Sequence, residues 1–88
     1  MKCVLLFESV YQVMKAEKLL KGKGFTVDLI PVPREISSDC GVAIGLPWEE
    51  KSEGSSLLGA SGISISETYK RDQQGRFEKE SQDPVPMR

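Results

Sequence analysis

The residues that could do chemistry gather around one cysteine, Cys40. The side chains just before it are charged or carry hydroxyl groups, and they are Arg34, Glu35, Ser37, Ser38 and Asp39. A hydrophobic core has no use for such a run, whereas a reactive thiolate needs polar surroundings and partial exposure. Turn N–H groups and the charge of Arg34 would favour the thiolate, and the carboxylate of Asp39 would oppose it. Cys40 is therefore a candidate for thiol chemistry; the alternative is a small buried residue at the head of a strand.

The segment Leu29 to Ile44, with the sequence LIPVPREISSDCGVAI, would set the position of this thiol. Pro31 and Pro33 impose extended backbone on themselves and on the residues before them. Ile36 is the side chain that we expect to anchor the loop to the core. Gly41 can adopt a positive φ at no steric cost. The sequence thus predicts a polar loop that ends next to Cys40 and is flanked on both sides by apolar strands.

The second cysteine, Cys3, stands in an apolar run and is predicted to be a core residue. If its strand and the strand after Cys40 were parallel neighbours, the two thiols would share one sheet edge, and Cys3 would be a possible resolving thiol. The chain has no histidine, which excludes Ser-His and Cys-His nucleophile pairs within it. Two cysteines cannot complete a four-ligand zinc or iron–sulfur site. We predict no metal and no cofactor.

Composition excludes several classes of function. The 88 residues, 39% of them hydrophobic, suffice for one small domain with a single core. With 12 basic and 13 acidic side chains in alternation, no basic face for nucleic acid is expected. No apolar run approaches the ~18 residues of a membrane span. The apolar N-terminus lacks a small-residue cleavage site and is interpreted as a strand, so a cytoplasmic location is expected.

Hydrophobic periodicity predicts two repeats of strand, helix and strand. The predicted elements are a strand Lys2–Phe7, a helix that starts after Ser9 and ends at Gly22 to Gly24, strands Phe25–Ile30 and Val42–Leu46, a weak helix Trp48–Ala60 and a strand Ile63–Tyr69. Gln12 completes a capping box with Ser9. Val10 and Met14 are counted with Val13, Ala16 and Leu20 in the apolar stripe of the first helix.

This order predicts an α+β fold, a ferredoxin-like β-α-β-β-α-β sandwich. Its four-stranded antiparallel sheet would carry both helices on one face, with strands one and three side by side and parallel in the middle. Residues 1–71 would form the domain, and residues 72–88 would be a polar, mobile tail with one turn that docks Phe77. The apolar runs of strands one and three indicate that a partner or the tail covers the second face, and a homodimer would satisfy this.

At three places the chain resembles a known family, the selenium/sulfur carrier-like proteins, long described as a small domain of unknown function. The resemblance rests on MKCVLLFES, on the helix MKAEKLLKGKG and above all on IPVPREISSDCG. It implies that Cys40 carries sulfur or selenium as a persulfide or selenopersulfide. It also implies a supporting loop made of Arg34, Ser37, Ser38, Asp39 and Gly41. Partners would then be a donor of the cysteine desulfurase or sulfurtransferase type and an acceptor protein.

Three hypotheses about function follow. The first is a chalcogen carrier that uses Cys40 and is not an enzyme by itself. The second is a binding or regulatory module whose SSDCG loop holds an anion or a partner. The third and weakest is a thiol–disulfide redox protein that uses Cys3 and Cys40.

Overall fold

The computed structural model describes residues 1–32, 36 and 41–79, and within these ranges the chain forms a five-stranded antiparallel sheet and two α-helices. The elements are β1 Lys2–Leu6, α1 Val10–Gly22, β2 Asp28–Pro31, β3 Val42–Pro47, a 3₁₀ turn Trp48–Glu50, α2 Lys51–Ala60, β4 Glu67–Arg71 and β5 Phe77–Lys79. The strand order is β2-β3-β1-β4-β5. The α+β prediction is confirmed, and the sheet has five strands among these residues instead of the predicted four.

The central strands β1 and β3 run antiparallel, with Cys3 opposite Leu46 and Leu5 opposite Ile44. The predicted parallel pairing is wrong. Helix α1 returns the chain to the end of the sheet where β1 began, so β2 runs in the direction of β1. The loop after β2 then reverses the chain, and β3 runs against both.

Helix α1 begins as predicted, because Ser9 caps it by accepting a hydrogen bond from the backbone N–H of Gln12 at 3.3 Å. The reciprocal half of the capping box is missing, since the side-chain oxygen of Gln12 is buried without a hydrogen-bond partner. The helix ends at Gly22, and the φ of +90° at Gly24 lets the N–H of Phe25 donate to the carbonyl of Leu20 at 3.0 Å.

Helix α2 forms despite its poor intrinsic propensity because it packs closely on the sheet. Gly54 faces β3, and a Cβ at this position would come within 2.7 Å of Cδ1 of Leu46. The glycine that lowers helix propensity therefore allows the helix to approach the sheet. Trp48, just before the helix, packs against the core, and the ammonium groups of Lys51 and Lys70 lie 4.9 and 5.1 Å from the centre of its ring.

Both helices cover the same face of the sheet, as predicted. This helix-side core contains Cys3, Leu5, Phe7, Val13, Ala16, Leu20, Ile44, Leu46, Leu58 and Ile63. The opposite face, called the open face below, holds a smaller buried cluster of Val4, Leu6, Ile30 and Ala43. Val32, Ile36, Tyr69 and Phe77 pack against this cluster and are themselves partly buried. Segments of the chain itself thus cover the apolar surface that suggested a homodimer.

The C-terminal half differs from the prediction in two places. Ile63 was assigned to a strand with Tyr69 on one face, but it lies before β4, in the helix-side core, while Tyr69 packs on the open face. Residues after 71 were predicted to be a tail, yet Asp72 to Arg76 turn the chain and β5 pairs with β4, placing Phe77 opposite Arg71. Residues 80–88 of that predicted tail lie outside the described residues. Neither described helix has the length and hydropathy needed to cross a membrane.

Candidate functional site

The segment that carries Cys40 connects β2 to β3. Residues 33–35 and 37–40 lie outside the described residues, and they include Arg34, Ser37, Ser38, Asp39 and Cys40. The roles assigned to these side chains therefore stay predictions. The described residues give the frame of the segment, namely its two ends and one position, Ile36, in its middle.

The two ends of the segment close on each other as a hairpin. Pro31 and Val42 are paired across β2 and β3, and the N–H of Val32 donates to the carbonyl of Gly41 at 3.1 Å. Gly41 has a φ of +71°, so the sequence prediction of a positive φ is confirmed. A side chain at this position would strain the backbone immediately after Cys40. In the sequence, Cys40 thus directly precedes the closed base of the hairpin, and this base depends on the glycine at position 41.

Ile36 anchors the middle of the hairpin to the sheet, as predicted. Its side chain is partly buried and packs against the open-face cluster of Val4, Leu6, Ile30 and Ala43. Val32 contacts the same cluster. The segment is therefore attached to the face of the sheet that the helices leave open.

Cys3 lies far from this hairpin along the sheet. Its side chain is completely buried in the helix-side core, and its partners in register are Leu46 on β3 and Lys70 on β4. Val42, where β3 starts, is four residues before Leu46, which corresponds to about 13 Å of extended chain. A disulfide requires Cα atoms within about 7 Å. The prediction that Cys3 and the start of β3 share one sheet edge is wrong, and the topological reason for a Cys3–Cys40 pair is removed.

Charged and aromatic side chains surround the open-face cluster. Lys2 on β1 forms an ion pair with Asp28 on β2, across the intervening strand β3. Gly45 lies opposite Asp28 on β3, and a Cβ there would come within 2.4 Å of Cδ1 of Ile30. The missing side chain at Gly45 therefore leaves room for Ile30 and for an ion pair that spans three strands. Sequence spacing gave no signal for this arrangement.

On the β4–β5 side, the carboxylate of Glu67 accepts two side-chain hydrogen bonds. Glu67 accepts hydrogen bonds from the hydroxyl of Tyr69 at 3.2 Å and from Nζ of Lys79 at 3.3 Å. Burial raises the pKa of Tyr69, and the hydrogen bond to Glu67 raises this pKa further. Phe77 meets Tyr69 edge to face at 6.3 Å, and the guanidinium of Arg71 lies 5.5 Å from the Phe77 ring. The side chains of Tyr69 and Phe77 thus lie on the face of the sheet that also carries Ile36.

The outer face of α1 exposes large apolar side chains, which the sequence analysis did not foresee. Val10, Tyr11 and Met14 are 48%, 69% and 62% exposed, although Val10 and Met14 were assigned to the buried stripe. Because Leu5 near the end of β1 pairs with Ile44 near the start of β3, the first turn of α1 and Gly41 lie at the same end of the sheet. The angular positions of Val13, Ala16 and Leu20 could have shown that Val10 and Met14 fall on the flank of the stripe.

A cavity of about 440 Å³ lies at the other end of the sheet. It is lined by Lys23, Gly24, Phe25, Glu50, Glu53 and Leu57, where α1 ends and α2 begins. One carboxylate oxygen of Glu50 is buried without a hydrogen-bond partner. Since the hairpin base at Gly41 is at the opposite end of β3, this cavity does not belong to the Cys40 segment.

Within ranges 1–32 and 41–79 and at Ile36, no three acidic or thiol side chains are grouped so that they could hold a metal ion. Residues 2–70 of the chain match the sequence model of the family described as "Putative Se/S carrier protein-like". The matched range extends from β1 to β4 and includes the whole hairpin with Cys40. No curated protein and no solved structure matched the chain.

Proposed function

The chain belongs to the Se/S carrier protein-like family, and on this ground we propose that Cys40 carries sulfur or selenium as a persulfide or selenopersulfide. The strand order β2-β3-β1-β4 with both helices on one face supports a ferredoxin-like unit, to which β5 is added at one edge. In this proposal the protein is a carrier that works between other proteins, and not an enzyme by itself.

The burial of Cys3 is the observation that supports the assignment of the carrier role to Cys40 alone. The chain has two cysteines, and Cys3 is completely enclosed in the helix-side core. A thiol that exchanges a chalcogen with another protein must be reached by that protein's sulfur atom. Cys40 remains as the carrier, and its segment is attached to the sheet through Ile36 and the hairpin base at Gly41.

Loading would occur by persulfide exchange. The Cys40 thiolate attacks the terminal sulfur of a donor persulfide, a new S–S bond forms at Sγ of Cys40, and the S–S bond of the donor breaks. The donor cysteine leaves as a thiolate, and the proton stays on the transferred sulfur. No electrons are gained or lost overall. Delivery reverses these roles, because an acceptor thiolate attacks the terminal sulfur and Cys40 leaves.

The polar residues of the hairpin would support the thiolate of Cys40, which attacks during loading and leaves during delivery. We propose that Arg34 supplies positive charge, that Ser37, Ser38 and Asp39 would offer backbone N–H groups, and that Gly41 keeps the backbone open next to the sulfur. The donor is of the cysteine desulfurase or sulfurtransferase type. The acceptor is a second protein with a reactive thiolate. Such exchange requires a reducing compartment, in which the thiols are not consumed by disulfide formation.

The test is the intact mass of the protein after incubation with a cysteine desulfurase and cysteine. The wild-type chain and Cys3→Ala are expected to gain the mass of one sulfur atom, and Cys40→Ser is expected to gain none. Urea unfolding of Cys3→Ala checks that the buried substitution has not unfolded the domain. If the wild-type chain gains no sulfur and Cys40 resists alkylation until unfolding, Cys40 is a packing residue, and the hairpin is better explained as an anion or partner site.

A further inference from the structure

We infer that the outer face of α1 is the surface on which the protein donor of the chalcogen docks, and that this donor presents acidic side chains around an apolar patch. The inference rests on the proposed function and names the contact that would bring the donor cysteine to Cys40. The surface consists of Val10, Tyr11, Met14, Lys15 and Lys18 and is called the α1 surface.

The apolar part of the α1 surface is unusual for this molecule. Only five large hydrophobic side chains are exposed among the described residues, and three of them, Val10, Tyr11 and Met14, fall within five consecutive positions of α1. Positions 10 and 14 are one turn apart, so their side chains are neighbours on the helix. A cluster of exposed apolar residues on an otherwise polar surface is typical of a protein contact. Tyr and Met are also enriched in interfaces.

The charge of α1 defines the kind of partner. The helix contains three lysines and one glutamate, a net charge of +2, in a chain whose formal net charge is −1. Glu17 is paired with Lys21 at 2.9 Å, which leaves Lys15 and Lys18 beside the apolar residues. Nζ of Lys15 lies 5.7 Å from the centre of the Tyr11 ring. A second copy of this chain would bring lysines against lysines, whereas an acidic partner would be attracted and oriented.

The position of the α1 surface connects it to the carrier segment. Helix α1 starts at the end of the sheet where the hairpin base at Gly41 lies, because β1 ends there and β3 begins there. Its first turns carry Val10, Tyr11 and Met14. A protein seated on this surface therefore lies beside the end of the sheet at which β3 begins, and Cys40 directly precedes Gly41 of the hairpin base in the sequence. The cavity near Glu50 lies at the opposite end and does not offer this arrangement.

The experiment compares two sulfur donors on the same variants. The protein donor is a cysteine desulfurase supplied with cysteine, and the small donor is glutathione persulfide. The variants are Met14→Glu and Lys18→Glu, and the matched control is Ser56→Glu, which adds an acidic group at an exposed position of the other helix. Sulfur on Cys40 is followed over time by intact mass.

We expect Met14→Glu and Lys18→Glu to slow loading from the desulfurase by about tenfold, because they reverse charge complementarity at the contact. Loading from glutathione persulfide should remain within about twofold of the wild-type rate, since this donor needs no docking surface. Ser56→Glu should match the wild type with both donors.

Four results would overturn the inference. In the first, the α1 variants and Ser56→Glu load equally fast from the desulfurase. In the second, both donors are slowed equally, which would place the effect at Cys40 itself. In the third, the wild-type chain sediments as a dimer that Met14→Glu dissociates, so that a second copy covers the surface. Loading of the wild-type chain by glutathione persulfide but not by the desulfurase would also refute docking while leaving Cys40 as a carrier. No loading by either donor would refute the proposed function itself.

Discussion

The two faces of the sheet carry hydrophobic clusters of different size. The helix-side core joins ten buried residues from four elements, from the loop after β1 and from the segment before β4, and it encloses Leu5 and Leu46 completely. The open-face cluster has four buried residues among the described ranges, and its cover comes from partly buried side chains such as Ile36 and Phe77. The helix-side core is therefore expected to supply most of the stability of the domain. The open face provides the support for the Cys40 hairpin.

The helix-side core thus serves the stability of the domain, and the open face serves the Cys40 hairpin. The described contacts of the Cys40 hairpin, made by Val32 and Ile36, are with the small open-face cluster, so we expect them to open without unfolding the helix-side core. Such opening would suit the proposed carrier, whose thiol has to reach two protein partners. If the two faces differ in this way, equivalent substitutions on them will have unequal effects on stability.

Leu5 and Leu6 are adjacent on β1 and point to opposite faces of the sheet. Leu5→Ala is expected to lower the free energy of unfolding by about 4 kcal/mol, because both helices and β3 hold the cavity open. Leu6→Ala should cost about 2 kcal/mol, since the partly exposed residues around it can move into the space. Urea unfolding of the two variants measures the difference. Equal losses would show that the open face is as tightly packed as the helix side.

Two glycines of α2 test how closely this helix approaches the sheet. Gly54→Ala gains helix propensity of about 1 kcal/mol but places a Cβ against the buried Leu46, an overpacking cost of about 1–3 kcal/mol. At the exposed Gly59 a Cβ would meet nothing within 4 Å, so Gly59→Ala keeps the propensity gain. Thermal unfolding should therefore rank Gly59→Ala above the wild type and Gly54→Ala below it. If both variants are stabilised, the contact between α2 and β3 is looser than the structure indicates.

The sequence predicted α1 and β3 within a residue or two, because a capping serine, two terminal glycines and a continuous apolar run mark their limits. It did not predict the direction of β3, since composition gives no strand direction and only the path through α1 and the hairpin determines it. The alternation of Ile63 and Ile65 resembled a strand, yet the N–H of Ile63 donates to the carbonyl of Leu58 and ends α2. In the segment after β4, Asp72 and Gly75 are turn-forming residues, but the three residues of β5 are too few to show a period.

For the candidate site, the sequence identified Ile36 as an anchor and the positive φ of Gly41, and both are confirmed. An isolated apolar residue in a polar loop favours burial, and a glycine beside turn-forming residues favours a positive φ. Each feature could therefore be predicted from the neighbouring residues alone. The ion pair between Lys2 and Asp28 and the exposure of Val10 and Met14 depend on how separate elements pack. No local pattern contains that information.

Ile36 and Ile65 provide a matched pair for the two faces. Both are partly buried; Ile36 packs on the open-face cluster and Ile65 on the helix-side core. Each alanine substitution is expected to cost about 1 kcal/mol of stability. Only Ile36→Ala should speed hydrogen exchange at the N–H of Val32, which donates to Gly41, by roughly fivefold through local opening of the hairpin. The same acceleration in Ile65→Ala would mean that the hairpin opens only with the whole domain.

The smallest expected effect concerns the turn that joins β4 to β5. The carboxylate of Asp72 accepts hydrogen bonds from the backbone N–H groups of Arg76 and Gln74, both at 2.9 Å. The bond from Arg76, followed by that from Gln74 and the charge of Arg76, holds the pKa of Asp72 below its usual value. Because the pKa is lower in the folded state, the carboxylate stabilises the turn above the pKa of an unfolded aspartate. This contribution is lost as the pH falls through the folded-state pKa.

NMR titration should therefore show the N–H signals of Gln74 and Arg76 moving with a midpoint below the ordinary aspartate pKa of 3.8. In Asp72→Asn this movement should disappear, because the amide side chain does not titrate. The signals of Val13 and Leu20 in the helix-side core should stay unchanged over the same range, since Phe77 of β5 packs on the open face and not in this core. If the core signals shift with the same midpoint, the β4–β5 turn and the helix-side core lose structure together, and the two faces are not independent in stability.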